Sequence, residues 1–178
     1  IGLFRSEFLF IGRDSAPTEE EQFAIYRRVA EKMAGKRAVI RVLDLGADKQ
    51  ADYLQLEKEE NPALGMRGIR LCFANEDIFK TQIRAICRAS AYGNIALMLP
   101  MVISTNEVRK ARQLIFSVQQ ELRMSKIPFD PDMKIGVMVE SFRLGFRAGV
   151  EKAAQLGAAG IQAYATAGEL GFADMTPA

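Results

Sequence analysis

Charged side chains recur in this sequence where short apolar runs end. Arg5 follows Ile1-Gly-Leu-Phe4, Arg41 follows Ala38-Val-Ile40, and Glu140 follows Ile135-Gly-Val-Met-Val139. If the apolar runs are parallel strands, these three residues converge on one face, because barrel and open-sheet α/β proteins bind ligands beyond the C-terminal ends of their strands. Two guanidiniums there can grip a phosphate or a carboxylate through paired hydrogen bonds. Glu140 can supply one hard oxygen to Mg²⁺, which takes one or two carboxylates and completes its shell with substrate oxygens and water. The residue types therefore point to a phosphorylated or carboxylated ligand, with or without a divalent metal. Position alone leaves a second possibility open for each arginine, a buried salt bridge to a carboxylate such as Asp44 or Glu7. For Glu140 the second possibility is an ion pair.

The elements that would position these residues alternate along the chain. Residues 1–4, Ala38–Leu43, Ile95–Met101, Ile135–Val139 and Gly160–Ala165 read as strands, each short, apolar and flanked by Gly, Asp, Asn or Pro. Helical periodicity fills the gaps. Thr18 is an N-cap followed by Glu19, Glu20 and Glu21, and Phe23, Tyr26, Val29, Ala30 and Met33 mark one face before a stop at Gly35. Further helices are predicted over Glu76–Ala91, from Ser104 or Thr105 to Met124, and over Phe146–Leu156 up to Gly157. The order βαβαβαβαβ gives an α/β fold of parallel βα repeats, read as a partial, half-type TIM barrel. One connection is unusually long. From Asp44 about thirty residues pass before the helix at Glu76, with a short helix allowed within Ala63–Phe73, and long ordered loops are usually functional. It carries Asp44, Asp48, Lys49, Glu59, Asn61 and Arg67.

Composition narrows the function. At 178 residues the chain can bury a real core, and 49% hydrophobic with 26% charged residues is a globular balance. A net charge of +2 leaves no nucleic-acid footprint. No apolar stretch approaches the roughly 18 residues of a membrane span. Cys72 and Cys87 fall in separate helical patterns with no metal or redox spacing, which suits two reduced thiols in a cytoplasmic protein. The chain has no histidine, so a Ser-His-Asp triad, a His metal ligand and a phosphohistidine are all excluded within it. Because the sequence opens inside a strand-like run, it is expected to be cut from something longer.

Six segments carry a family resemblance: Gly2-Leu-Phe-Arg-Ser-Glu-Phe-Leu9, Pro17-Thr-Glu-Glu-Glu-Gln-Phe23, Arg41-Val-Leu-Asp-Leu-Gly-Ala-Asp-Lys49, Lys58-Glu-Glu-Asn-Pro-Ala-Leu-Gly-Met-Arg67, Gln82-Ile-Arg-Ala-Ile-Cys-Arg-Ala-Ser-Ala-Tyr-Gly93 and Pro100-Met101. With them, residues 1–140 resemble the phosphoenolpyruvate-binding domain of enzyme I, the phosphoenolpyruvate-protein phosphotransferase of the bacterial sugar phosphotransferase system. The resemblance implies a TIM-barrel domain in which Arg5 and Arg41 hold the phosphate of phosphoenolpyruvate and Lys49 and Arg67 add positive charge. It also implies that Glu140 is one of two carboxylates on Mg²⁺. Ser6 stands where the family commonly has Thr, and Ala47 where it commonly has Gly. The family's later G-T-N-D-L-T-Q-Y segment and its G-M-C-G-E segment, with the proton-donating cysteine, are not in this chain. No catalytic residue is therefore assigned, and Cys72 and Cys87 do not match that motif.

A second resemblance covers residues 133–178. Met133-Lys-Ile-Gly-Val-Met-Val-Glu-Ser-Phe-Arg-Leu-Gly-Phe146 and the run from Gly149 to Leu170 are similar to the first βαβ unit of a sugar-phosphate isomerase or epimerase of the xylose-isomerase type. The expected organisation is one compact domain, with 1–140 a partial phosphoenolpyruvate-binding barrel and 141–178 a βα continuation of different barrel origin. The expected function is the phosphoenolpyruvate-binding part of a phosphotransferase, not catalytically complete by itself. The alternatives are an inactive chimeric or engineered barrel fragment, or an isomerase segment using Glu140 or Glu169. Five strands cannot close an eight-stranded barrel, so an open edge and a homodimer that covers it are expected.

Overall fold

The computed structural model describes residues 2–46, 51–54, 65–138 and 146–162. Within them β1 (Phe4–Arg5), β2 (Ala38–Arg41), β3 (Ile95–Leu99), β4 (Lys134–Met138) and β5 (Gly160–Gln162) form one sheet in the order β1-β2-β3-β4-β5. Every neighbouring pair is parallel. The helices between them are α1 (Glu19–Lys32), α2 (Ile69–Ala74), α3 (Glu76–Ser90), α4 (Thr105–Met124) and α5 (Phe146–Gln155), with short 3₁₀ turns at Ser6–Leu9 and Asp52–Leu54. Each strand thus pairs with the strand before it, across a connection long enough for a parallel crossover.

Local chemistry explains the helix ends. Thr18 and Ser104 each begin a helix with a reciprocal capping box, to Glu21 and to Glu107. α1 ends at Lys32, and Gly35 beyond it takes φ 81°, a left-handed angle that glycine adopts without strain. α2 follows Gly68, whose φ of 56° and ψ of −133° suit glycine alone. A Cβ there would also stand 2.8 Å from the Cβ and Cγ of Met101.

Alternation along the strands separates two faces. Ile40, Leu97, Leu99 and Val137 join one hydrophobic core with Tyr26 and Ala30 of α1, Ile69 and Leu71 of α2, Phe79, Ile83 and Ile86 of α3, Val108 and Ile115 of α4, and Ala153 of α5. Val39, Ala96 and Met98 have the opposite parity and stand outside that cluster. Together with Leu3, Gly136 and Ile161 they line a cavity of about 370 Å³, to which Arg37 and Lys134 also contribute. The strands are shorter than their apolar runs. β2 stops at Arg41 instead of Leu43: the Val42 N–H still reaches Met98 O at 3.1 Å, but the Leu43 N–H leaves the ladder for Gln82 Oε1 at 2.9 Å. Residues 163–165 of the expected last strand lie outside the described residues.

Candidate functional site

β1 and β2 end on the same row of the sheet, since Arg5 is the register partner of Arg41. Both side chains turn toward Glu7, which the Ser6–Leu9 turn carries back beside the strand ends. Arg5 Nε donates to Glu7 Oε1 at 2.9 Å, and Arg41 Nη2 donates to the same oxygen. Arg41 Nη1 also meets Asp44 Oδ2 at 3.3 Å, and Asp44 Oδ1 accepts from Arg67 Nε at 3.1 Å. The result is an unbroken chain of Arg5, Glu7, Arg41, Asp44 and Arg67. It links β1, β2 and the segment just before α2.

Burial differs along that chain. The Glu7 and Asp44 side chains are almost fully enclosed, Arg41 and Arg67 are partly covered, and Arg5 is the exposed arm, lying 5.4 Å from the Phe8 ring. Among the described residues, three guanidiniums against two carboxylates leave a surplus positive charge. The cluster is also unsaturated: among the described residues, Glu7 Oε2 and Arg41 Nε are buried without a hydrogen-bond partner. Such unmet groups are uncommon in native interiors and call for a reason. Arg67 is held in place from its own side, because the Ile69 N–H donates to Pro100 O at 3.2 Å and Arg70 Nε donates to Gly65 O at 2.9 Å.

Of the residues expected at the site, Arg5, Arg41 and Arg67 are brought together. Lys49 and Glu140 lie outside the described residues. The alternative reading of Arg41, a buried salt bridge to Asp44 or Glu7, is also realised, with both carboxylates at once. Sequence reasoning gave Gln82 no role, although it is fully buried behind the site and bonds to Leu43 and Ser6. Its only signal was its place at the start of one of the family-like segments.

Neither cysteine is suited to proton or group transfer. Burial drives the Cys72 thiol far above its ordinary value, with the Asp44 charge adding to the effect, and burial pushes Cys87 up to about 12. Among the described residues no group of three or more His, Cys, Asp or Glu could hold a metal ion. Glu7 and Asp44 are committed to guanidiniums, so the described donors do not fit a resident Mg²⁺ ion. The apolar cavity on the sheet face includes none of Arg5, Arg41 or Arg67 and is not the anion site.

The model of one protein family, described as PEP-utilising enzyme, PEP-binding domain, matches residues 1–153. The chain belongs to that family. Phosphoenolpyruvate-protein phosphotransferases are similar to it at the level of close relatives. The protein from Listeria monocytogenes is 49% identical over 140 residues, 79% of this chain and 24% of the relative. That from Staphylococcus aureus is 50% identical over 140 residues, again 79% and 24%, and that from Bacillus subtilis 48% over 140 residues, 79% and 25%. This phosphoenolpyruvate-binding domain chain thus spans about a quarter of the length of the curated relatives it matches. The matched family span crosses residue 140, runs through β4 and takes in most of α5. That corrects the second expectation: the likeness of residues 133–178 to a sugar-phosphate isomerase or epimerase is not supported. The generic strand–helix–Gly pattern that suggested it serves any βα repeat and does not distinguish one family from another.

Proposed function

We propose that the strand-end cluster binds the phosphate of phosphoenolpyruvate, and that the chain acts as the phosphoenolpyruvate-binding part of a phosphoenolpyruvate-protein phosphotransferase. The observation that carries this reading is the convergence of Arg5, Arg41 and Arg67, from three separate segments, on one end of a parallel sheet. Glu7 and Asp44 hold the guanidiniums apart and in place, while the exposed Arg5 and the remaining nitrogens of Arg41 and Arg67 face an anion with net positive charge. In phosphoryl transfer such a clamp works by positioning and by neutralising developing charge. Lys49 is assigned to the same clamp. Mg²⁺ enters this reading only through Glu140 and the ligand's own oxygens.

No residue here is assigned a catalytic role. The chain contains no histidine to accept a phosphoryl group and no thiol near its ordinary pKa, so both acceptor and proton donor belong elsewhere. A strand order without reversal supports an arc of a barrel over a doubly wound sheet, in which the order switches direction. The exposed Ile161 on the edge strand β5 supports self-association as a homodimer. We place the protein in the cytoplasm. Among the described residues no helix is long and apolar enough to cross a membrane.

Calorimetric titration with phosphoenolpyruvate, with and without Mg²⁺, tests the reading. Binding at roughly millimolar affinity or better is expected, together with its loss in Arg41→Ala. Absence of binding by the folded wild-type chain would sink the proposal.

A further inference from the structure

We infer that Gln82, on α3, is the positioning residue of the strand-end cluster: one side-chain amide sets both carboxylate-bearing turns in register with Arg41. The inference rests on the anion-site reading above. Gln82 is fully buried, with the apolar Phe79, Ile83 and Ile86 as its neighbours on the helix. Its Oε1 accepts the Leu43 N–H at 2.9 Å, and this backbone donor decides which end of the amide carries the oxygen. Its Nε2 donates to Ser6 Oγ at 3.0 Å and to the Tyr26 hydroxyl at 3.1 Å.

The two main partners adjoin the site. Ser6 sits between Arg5 and Glu7, and Leu43 immediately precedes Asp44. Glu7 and Asp44 are the carboxylates that hold Arg41 from either side. The Gln82 amide therefore closes a loop behind the guanidinium: one end fixes the Glu7 turn, the other fixes the Asp44 segment. The Tyr26 arm leads away from the site, to Gln22 Oε1 at 3.1 Å and on to Pro17 O at 3.0 Å. If the position only filled the core, an apolar side chain would serve and would carry no risk of unmet donors. An amide is required because the site side presents one backbone donor and one hydroxyl acceptor.

Two variants of the 178-residue chain separate positioning from mere stability. Gln82→Met keeps the volume and removes the three bonds of the Gln82 amide. Gln22→Met removes only the arm that leads away, beyond Tyr26. ¹⁵N relaxation of the Arg41 Nε–H group and titration with phosphoenolpyruvate are the readouts. The expected result for Gln82→Met is greater mobility of the Arg41 guanidinium and a fivefold or larger loss of affinity, since small misplacements of a clamp are costly. Gln22→Met is expected to lower the melting temperature while Arg41 order and affinity stay within twofold of wild type. Unchanged Arg41 order in Gln82→Met, or wild-type affinity in Gln82→Met where Arg41→Ala abolishes binding, overturns the inference. Should Gln82→Met not fold, Ser6→Ala severs the Glu7 arm, together with the Ser6–Tyr26 bond, leaves Leu43 tied to Gln82, and is read by the same criteria. A wild-type chain that binds no phosphoenolpyruvate sinks the site reading, while loosening of Arg41 in Gln82→Met would still uphold the positioning.

Discussion

Glu7 takes hydrogen bonds from two guanidiniums while only 4% of its side chain is exposed, whereas the Arg5 side chain, one of those two donors, is 57% exposed. The two ends of this single ion pair should therefore respond differently to substitution. Glu7→Leu strips a buried charge partner from Arg41 and is expected to cost about 3 kcal/mol, the lower end for breaking a buried pair, because Asp44 remains. Arg5→Ala is expected to cost less than about 1 kcal/mol, since an exposed pair contributes little, yet it should weaken phosphoenolpyruvate binding. Urea denaturation beside calorimetric titration checks both; equal stability losses would contradict the burial argument. The arginines were legible in the sequence because a cation directly after an apolar run has few structural reasons to be there. Reading them as either anion ligands or salt-bridge partners missed that Arg41 has enough nitrogens to meet two carboxylates and still leave Nε without a partner among the described residues. Gln82 was not legible, because its partners Leu43 and Ser6 lie 39 and 76 residues away and only the folded register joins them.

Among the elements, α1 and α2 offer the sharpest tests. Gly68 precedes α2 in a conformation closed to other residues, with Met101 in the space a side chain would need. Gly68→Ala is expected to destabilise the chain by about 2 kcal/mol through backbone strain alone, and to draw the adjoining Arg67 away from Asp44. A thermal melt indistinguishable from wild type would refute this. At the start of α1, Glu21 accepts from the Thr18 backbone N–H, then from Arg13 and the Thr18 hydroxyl, which together hold its carboxyl at about 2 against an ordinary 4.5. The folded pKa is depressed, so this contribution is complete above the unfolded value of 4.5 and is lost as pH falls toward 2. Glu21→Gln should flatten the decline of melting temperature over that acid window and change its slope little near neutrality. The caps were readable, as Thr18 and as Ser104 or Thr105, because such residues before an amphipathic run are a local signal, and the reciprocal boxes to Glu21 and Glu107 are what the structure adds. Strand ends were not: Val42 and Leu43 are as apolar as the residues before them, and only a side chain from α3 decides that pairing stops.

For the molecule as a whole, one face of the sheet is sealed by the common core of α1–α5, and the other presents Leu3, Val39, Ala96 and Met98 around a cavity. If the β5 edge is buried by a second copy, sedimentation velocity should show a concentration-dependent dimer in the micromolar range. Ile161→Lys, on the exposed end of the sheet, should shift the equilibrium toward monomer; a single monomeric species at every concentration would dismiss the idea. The α/β class and the parallel alternation were evident from periodicity, since each apolar run is too short for a helix and each amphipathic run too long for a strand. The strand order carries a further meaning for how the molecule is built. Because each strand pairs with its predecessor, the sheet can be laid down in the direction of synthesis, and no later strand has to wedge between two earlier ones. The edge that carries Arg5 and Arg41 follows its own schedule. Arg5, Glu7, Arg41, Asp44, Arg67 and the Gln82 that bonds beside both turns are all synthesised before β3, β4 and β5, so the cluster and its tether precede most of the sheet that carries them.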